Sequence, residues 1–311
     1  MATTTTRDVV TTRTGGGRRM NRKTSELLWG LLFVGPQLLG LLVFSLIPLI
    51  GAFYLSLTNW DGFGSRTFVG LQNFVEQLRS PDLRISLWNT LVYTLIAVPG
   101  GLALSLLVAM GLNNIRGKTF YRLLYFLPVV TGSVAVSVVW LYLLNDDFGL
   151  INTYAASWFG IDLPSWLTDS RFVMPAIAVM SIWWGLGYSM VIFLAGLQGV
   201  PTSLVEAAQI DGANKLQIFR NVTLPLLSPT IFFLTVTNLI GSFQVFDQSN
   251  VMTGGGPGKA SYTMVFHIYT LAFKDFTFGK SSAAAVILFF IILVVTVFQL
   301  YAQKRWVHYE D

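Results

Sequence analysis

The sequence predicts an all-α integral membrane protein with six transmembrane helices and both termini in the cytoplasm. Hydrophobic residues make up 53% of the 311 residues and charged residues only 11%, whereas about a quarter of a soluble globular chain is charged. The charges are excluded from long windows that each supply the roughly 20 apolar residues a spanning helix needs. The expected spans are 28–54, 89–112, 123–144, 172–194, 224–246 and 282–303.

The two ends of the chain fix the predicted orientation. Residues 1–24 are rich in Thr, Gly and Arg and have little to bury, which predicts a disordered cytoplasmic tail before a six-helix transmembrane domain of residues 25–311. With the termini inside, 13 Lys and Arg residues lie on the cytoplasmic side and 7 outside. Positive charge favours the inside, so we expect cytoplasmic termini.

Catalytic and metal-binding chemistry have little support in the sequence. The chain has no cysteine, and its two histidines, His267 and His308, are far apart and are expected to be ordinary loop or tail residues. The "GKT" at 117–119 lacks the first glycine of a phosphate-binding loop and follows a membrane span, which predicts a short cytoplasmic turn. Asp146 and Asp147 are expected in a solvated loop at a span end.

Polar and aromatic side chains in the fourth and fifth spans are candidates for a solute path. Trp184 and Tyr188 share one helix face at i, i+4, where they could stack on sugar rings or simply pack helices. Phe243 and Gln244 lie near the end of the fifth span, and Gln244 could either join helices or line a wet path. Asp247 closes the same apolar run, where it is either functional or merely reaches the interface.

A polar cassette at about 199–223 separates the fourth and fifth spans. The pattern predicts a capping box between Ser203 and Glu206, a short helix over 204–211, and a left-handed cap at Gly212. A second short helix is expected over 215–221, so the loop should be a compact helix-turn-helix on the cytoplasmic face.

The function of this cassette is open on physical grounds. It carries only two basic residues, Lys215 and Arg220, which disfavours nucleic-acid binding. Leu204 shares one helix face with small alanines that let another surface approach closely. This face favours docking of a soluble protein partner over a merely well-folded loop.

The cassette resembles a known signature. Glu206, Ala207, Ala208 and Gly212, followed by "TLP" at 223–225, resemble the EAA motif of membrane subunits of ATP-binding-cassette importers. Four further segments resemble the carbohydrate-type branch of these proteins, of the maltose and glycerol-phosphate type. They are "SLTNWDGFGSRTFVGLQNF" after the first span, "LPVV" at 127–130, "AGLQGVP" at 195–201 and "MTGGGPG" at 252–258.

This resemblance implies a type I importer permease in the bacterial cytoplasmic membrane that is not itself an enzyme. It implies a second homologous permease subunit, two ATPase subunits that bind ATP and Mg²⁺, an extracytoplasmic solute-binding protein and surrounding membrane lipid, with no cofactor on this chain. The residues carried over for ATPase coupling are Glu206, Ala207, Ala208, Asp211 and Gly212. The residues expected along the solute pathway are Trp184, Gly185, Tyr188, Phe243 and Gln244.

Two other functions compete with this interpretation. A secondary transporter driven by an ion gradient would need ionisable residues deep in the spans, and only Asp247 approaches this requirement. A non-transport membrane scaffold or sensor would recruit a protein through the cassette and need no polar site at the midplane. The sequence does not name the solute, which could be a mono-, di- or oligosaccharide, a polyol or a glycerol phosphate.

Overall fold

The computed structural model describes residues 22–113, 115–305 and 307, and most of these residues are helical. The predicted tail therefore lies outside the described residues up to position 21, as does His308. The chain divides into two compact units, Met1–Gly51 and Ala52–Asp311. In the first unit, α1 (Arg22–Leu41) leads through a π-helical turn (Leu42–Leu46) into α2 (Ile47–Ser56), which continues beyond Gly51.

The second unit begins with a small hairpin and continues as helices. Strands β1 (Thr58–Asn59) and β2 (Thr67–Phe68) pair antiparallel. The helices that follow are α3 (Gln72–Arg79), α4 (Pro81–Asn113), α5 (Lys118–Val130), α6 (Ser133–Leu143), α7 (Leu150–Tyr154), α8 (Val173–Gln198), α9 (Thr202–Ile210), α10 (Lys215–Ile218), α11 (Leu224–Leu226), α12 (Ser228–Phe243), α13 (Asp247–Thr253), α14 (Met264–Phe273) and α15 (Phe278–Ala302). Two π-helical turns (Ala155–Phe159 and Phe219–Thr223) and a 3-10 turn (Gln303–Arg305) complete this unit.

Four of the predicted spans are continuous helical segments that are long and apolar enough to cross a membrane. They are Trp29–Ser56, Pro81–Asn113, Val173–Gln198 and Phe278–Arg305. Many apolar side chains on them are exposed, such as Val294 and Phe298 at 65% and 70%. Such an apolar surface suits lipid rather than water as the surrounding solvent.

The third predicted span is not one straight helix. It is formed by α5 and α6, which meet at an angle of 96°. Pro128 lacks the N–H that would continue the helix ladder, and Thr131 and Gly132 adopt extended backbone with ψ of 134° and 142°. Hydropathy alone predicted a continuous span because it reports apolar content and not the direction of the backbone.

The fifth predicted span is also bent, by 65° between Lys215–Leu226 and Ser228–Phe243. The proline at position 229 has no N–H for the carbonyl of Pro225. The hydroxyl of Ser228 donates to that carbonyl at 2.6 Å, so the freed acceptor is satisfied at the bend. The bend is therefore a stable local structure encoded by a Ser-Pro pair.

The core of the second unit forms around α8. Helix α4 packs along α8, and α5 crosses it. The crossing is tight at Gly187, where a Cβ atom would lie 2.1 Å from the carbonyl oxygen of Tyr125. This close approach positions α5, and hence the α5–α6 break, against the middle of α8.

The structure tests the expectations for the "GKT" segment and for His267. The turn predicted for "GKT" is found only at Gly117, which is left-handed (φ 80°), because Lys118 and Thr119 already form the start of α5. The expectation for His267 was wrong, because this residue is buried in α14 and not in a loop. Its ring nitrogens lie 2.8 Å from Gln77 Oε1 and 3.2 Å from the Tyr262 hydroxyl, and these partners replace the water lost on burial.

Candidate functional site

A cavity of about 470 Å³ lies between α4, α6, α8, α12 and α13. Its wall combines hydroxyls, amides, aromatic rings and small residues, the mixture that suits a polar organic solute. The lining residues are Tyr93, Ala97, Val98, Gly101, Ser105, Ser133, Ser181, Ile182, Trp184, Gly185, Tyr188, Ser189, Thr237, Asn238, Gly241, Ser242, Gln244, Val245, Phe246, Asp247 and Gln248.

Four of the five residues predicted for the pathway line this cavity, namely Trp184, Gly185, Tyr188 and Gln244. The fifth, Phe243, lies elsewhere: it is buried in a hydrophobic cluster with Leu83, Met264, Ala284 and Leu288. Consecutive helical side chains point about 100° apart, so Phe243 and Gln244 at the end of α12 face different surroundings. Phe243 therefore supports the cavity wall from behind.

The end of α12 supplies much of the hydrogen-bonding capacity. Asn238 donates from Nδ2 to the carbonyl of Leu234 at 2.8 Å, which leaves its amide oxygen as an acceptor. Ser242 is fixed by the hydroxyl of Thr94, which donates to its Oγ at 3.0 Å. The exposed amide of Gln244 has no hydrogen bond among the described residues. This wall therefore offers both donors and acceptors to a solute.

Trp184 and Asp247, two residues of the cavity wall, form hydrogen bonds with residues at the α5–α6 break. Trp184 donates from Nε1 to the carbonyl oxygen of Thr131 at 3.0 Å, and the hydroxyl of Ser133 donates to Asp247 Oδ2. Thr131 and Ser133 flank the bend, where the regular helix ladder is interrupted. Asp247 is thus part of the cavity wall and is the first residue of α13.

A second candidate region is the loop between α8 and α12. Helix α9 ends at Ile210, and Gly212 after it has φ 82°, the left-handed conformation that the sequence predicted. The amide of Gly212 donates to Gln209 O at 3.0 Å and that of Ala213 to Ala208 O at 2.9 Å. This pair of bonds is a Schellman motif, which satisfies the last carbonyls of the helix. The turn after α9 is therefore well ordered.

The predicted capping box is wrong. Helix α9 begins at Thr202 after an extended Pro201 (ψ 126°), and no side chain caps it. Ser203 is consequently inside the first turn, where it does not occupy the cap position. The capping box of the loop lies at the next helix, where Asn214 Oδ1 accepts from the amide of Gln217 at 2.9 Å and Gln217 Oε1 accepts from the amide of Asn214 at 2.7 Å.

The surface of this loop is exposed and partly apolar. Glu206, Ala207, Asp211 and Gly212 are exposed and Ala208 is half-buried. The loop also exposes three large apolar side chains, at 87% for Ile210, 73% for Leu216 and 46% for Leu204. Exposed apolar groups clustered on an ordered polar loop are typical of a protein-docking surface.

Sequence reasoning missed Ser133, Thr131, Asn214 and Gln217. The Asn-x-x-Gln pattern at 214–217 is a capping-box signal as clear as the one at 203–206. Pro128 followed by Gly132 was a sequence signal for the break. No sequence pattern could indicate which side chains of α8 and α13 would approach the break.

Another cavity, of about 450 Å³, lies beside α14. It is lined by Asp82, Gly254, Gly255, Gly256, Lys259, Tyr262, Phe266, His267, Thr270, Leu271, Lys274 and Asp275. Lys259 Nζ and Asp82 Oδ1 form an ion pair at 2.6 Å across its rim. Its charges are balanced and its buried histidine is already bonded, so this cavity is a structural feature of the α14 region.

Comparison with known proteins places these features in a family. Residues 101–308 match the family described as "Binding-protein-dependent transport system inner membrane component". The probable ABC transporter permease protein YesP of Bacillus subtilis is 35% identical over 308 residues, covering 96% of this chain and 99% of YesP. The sn-glycerol-3-phosphate transport system permease protein UgpA of Brucella abortus is 36% identical, covering 89% of this chain and 94% of UgpA.

Further similarities agree with this match. The probable starch degradation products transport system permease protein AmyD of Thermoanaerobacterium thermosulfurigenes is 34% identical, covering 89% of this chain and 95% of AmyD. Among solved structures, a bacterial ABC transporter that imports the acidic polysaccharide alginate has a similar fold. The TM-score is 0.77 at 24% identity, and the match covers 91% of this chain and 96% of that chain.

Proposed function

The chain belongs to the family of binding-protein-dependent transport system inner membrane components, and we propose that it forms one half of a sugar-conducting heterodimer. It is the membrane-spanning permease of an ATP-binding-cassette importer. The other half is a second homologous permease subunit. Two ATPase subunits bind ATP and Mg²⁺, and an extracytoplasmic binding protein delivers the solute. The chain itself transports and does not hydrolyse ATP.

The proposed topology counts each bent helix pair as one span, which gives six spans with both termini in the cytoplasm. Taken together, α5 with α6, and α10 through α12, are each long and apolar enough to cross a membrane once. The 13 to 7 distribution of Lys and Arg supports this orientation. The loop between α8 and α12 then faces the cytoplasm, where the ATPase subunits lie.

The observation that carries the proposed coupling role is the continuity between that loop and the cavity. Helix α10, the π-helical turn and α11 lead without a loop into α12, whose last two turns line the cavity. The amide of Leu227 donates to Thr223 O at 2.9 Å and that of Ile231 to Leu227 O at 2.9 Å, which ties the backbone together through the bend. Movement of the ATPase subunits would thus move the cavity wall directly, and the solute site would open alternately to each side.

A sugar or sugar-like solute fits the chemistry of the cavity. Hydroxyls and amides of the wall can exchange hydrogen bonds with sugar hydroxyls, and Trp184 and Tyr188 offer aromatic faces for apolar ring surfaces. Its relatives AmyD and UgpA are named for the transport of starch degradation products and of sn-glycerol 3-phosphate. Carbohydrate transport is the proposal that the wall and the relatives both support.

The coupling role is tested in proteoliposomes that contain both permeases and both ATPases. Glu206→Ala removes an exposed carboxylate that no described residue binds, and Gly212→Pro removes a left-handed cap and its N–H. Both variants are expected to abolish ATP-driven uptake and to weaken ATPase co-purification while membrane insertion is retained. Gln209→Ala, on the same helix, is the matched control and should retain uptake.

The outcome also separates the competing functions. Normal uptake by Glu206→Ala and Gly212→Pro would contradict the coupling role. Uptake that is sensitive to an ionophore and insensitive to ATP depletion would indicate a secondary transporter instead. If alanine at Gln244 and Tyr188 has no effect on solute handling, the cavity is not the pathway, and the scaffold interpretation gains support.

A further inference from the structure

We propose that Asp247 determines the charge selectivity of the cavity, so that this half of the pathway carries polyhydroxylated solutes without negative charge and rejects phosphorylated or carboxylated ones. This inference rests on the proposed transport function and narrows its substrate class. It is carried by the position of one uncompensated carboxylate in the cavity wall.

The wall has a simple charge composition. Among its lining residues, all of which are described, Asp247 is the only carboxylate, and there is no Lys, Arg or His. The remaining polar groups are hydroxyls and side-chain amides, which carry no charge. Among the lining residues of this subunit, the solute therefore faces a single charged group, and that group is negative.

The charge of Asp247 is not neutralised by the protein. Between pairs of described residues, Asp169, Asp82 and Glu76 form ion pairs, and Asp247 is in none of these. Its only hydrogen bond within the described part of the chain is the one from Ser133 to Oδ2. This hydroxyl donor orients the carboxylate and brings no positive charge to it.

The position of this carboxylate favours neutral solutes over anions. Two like unit charges about 5 Å apart repel by roughly 1 kcal/mol in water and several times more at the lower effective dielectric near a protein wall. The repulsion acts on a phosphate or carboxylate but not on a sugar hydroxyl, which can instead donate a hydrogen bond to this carboxylate. A wall built for an anion would place Arg or Lys here, as bidentate or point-charge partners.

The chain is suited to a direct test because it contains no cysteine. Gln244→Cys introduces one thiol in the cavity wall, three positions before Asp247. Its rate of modification is measured in the purified permease–ATPase complex with two methanethiosulfonate reagents of similar size, a trimethylammonium cation and a sulfonate anion. Each rate is divided by that of the same reagent with free 2-mercaptoethanol.

The expected result is that the cation reacts at least about fivefold faster than the anion at low ionic strength. Asp247→Asn removes the charge and should bring this ratio close to 1. Asp247→Ser also removes the charge, introduces no amide, and should give the same ratio. Ser157→Cys, an exposed position outside the cavity, is the matched control, and its ratio should not change with residue 247. A ratio at Gln244→Cys that is unaffected by Asp247→Asn overturns the proposal.

The substrate class has its own test. ATP-driven uptake of radiolabelled sn-glycerol 3-phosphate by the unmodified importer is expected to stay at the level of ATP-free vesicles, and sustained uptake overturns the proposal. The reagent rates need neither ATP nor a binding protein, so they are informative even if no uptake is found. Failure of the charge selectivity is thus distinct from failure of the transport function.

Discussion

Trp184 on α8 donates a 3.0 Å hydrogen bond from its indole Nε1 to the carbonyl oxygen of Thr131, the residue that follows α5. A bent span exposes carbonyls that a continuous helix would satisfy, and in lipid such groups are costly unless a neighbour binds them. The same tryptophan lines the main cavity. One side chain therefore both stabilises the break and faces the proposed solute.

Removal of the Trp184 indole N–H should destabilise the protein more than the same change at the neighbouring Trp183. Trp184→Phe keeps an aromatic ring but leaves the Thr131 carbonyl without its partner, which is expected to cost about 1 kcal/mol. Trp183→Phe is the matched control, because Trp183 is 46% exposed and its contact is a ring packed on Trp140. Thermal unfolding of the purified complex measures both. Equal shifts in melting temperature would show that the bond to Thr131 contributes nothing.

The α5–α8 crossing should reject any side chain at Gly187. Gly187→Ala would place a Cβ atom 2.1 Å from Tyr125 O and 2.8 Å from the Cα atom of Phe126, both of them backbone. Relief requires the helices to separate, so we expect a loss of about 3 kcal/mol or a failure to assemble. Gly185→Ala meets nothing within 4 Å and should fold normally. The yield and melting temperature of the two variants should therefore differ, and similar values would contradict the close crossing.

Variants at Asn214 and Ser203 distinguish the observed cap of α10 from the cap that the sequence predicted for α9. Asn214→Ala removes the acceptor for the Gln217 amide and should destabilise α10 by about 1 kcal/mol. Ser203→Ala should have little effect, because no side-chain bond caps α9. Hydrogen exchange of the α10 amides measures the difference. Faster exchange in Ser203→Ala than in Asn214→Ala would contradict the assignment of the cap.

Acid pH should lower the melting temperature of the protein because of His267, which is buried in α14. Burial lowers the pKa of His267, with Asp82 and Asp275 opposing this effect and Lys259 adding to it. A group whose folded pKa is lowered stabilises the fold above its unfolded pKa of about 6.5, and this stability is lost as the pH falls towards the folded pKa. We expect the melting temperature to decrease between pH 7.5 and pH 5.5.

His267→Gln provides the comparison for this pH effect. Glutamine keeps a polar side chain opposite Gln77 and does not titrate, so its melting temperature should depend less on pH over the same interval. Glu76→Gln controls for the exposed ion pair with Lys280 on the neighbouring helices. An identical pH dependence in the unmodified protein and in His267→Gln would show that His267 is not the titrating group.

The fold could be predicted from sequence to the extent that it depends on transfer from water to lipid. Charge-free windows located the four continuous spans, because burial of about 20 apolar residues in a bilayer dominates other energies. The bends in the other two were not predicted. Each depends on which neighbour satisfies the freed carbonyl, such as Trp184 for Thr131, and such partners are distant in the chain.

The candidate site shows a similar division. Gly212 was predicted correctly because its left-handed conformation is a local property of the chain. Phe243 was expected in the pathway and lies in the core, since the sequence indicates the spacing of side chains but not the rotation of α12 about its axis. Asp247 could be recognised as unusual, but its contact with Ser133 forms between residues 114 positions apart.

The Ser-Pro bend at 228–229 has a mechanical consequence. From Lys215 to Phe243 the backbone forms one bent rod with an arc length of about 40 Å, estimated from the helical rise. At its corner the hydroxyl of Ser228 donates to the carbonyl of Pro225, which stabilises the bend. Under the proposed coupling role, a rotation of the arm that begins at Lys215 would therefore displace Asn238 and Gly241 on the other arm, both of which line the cavity.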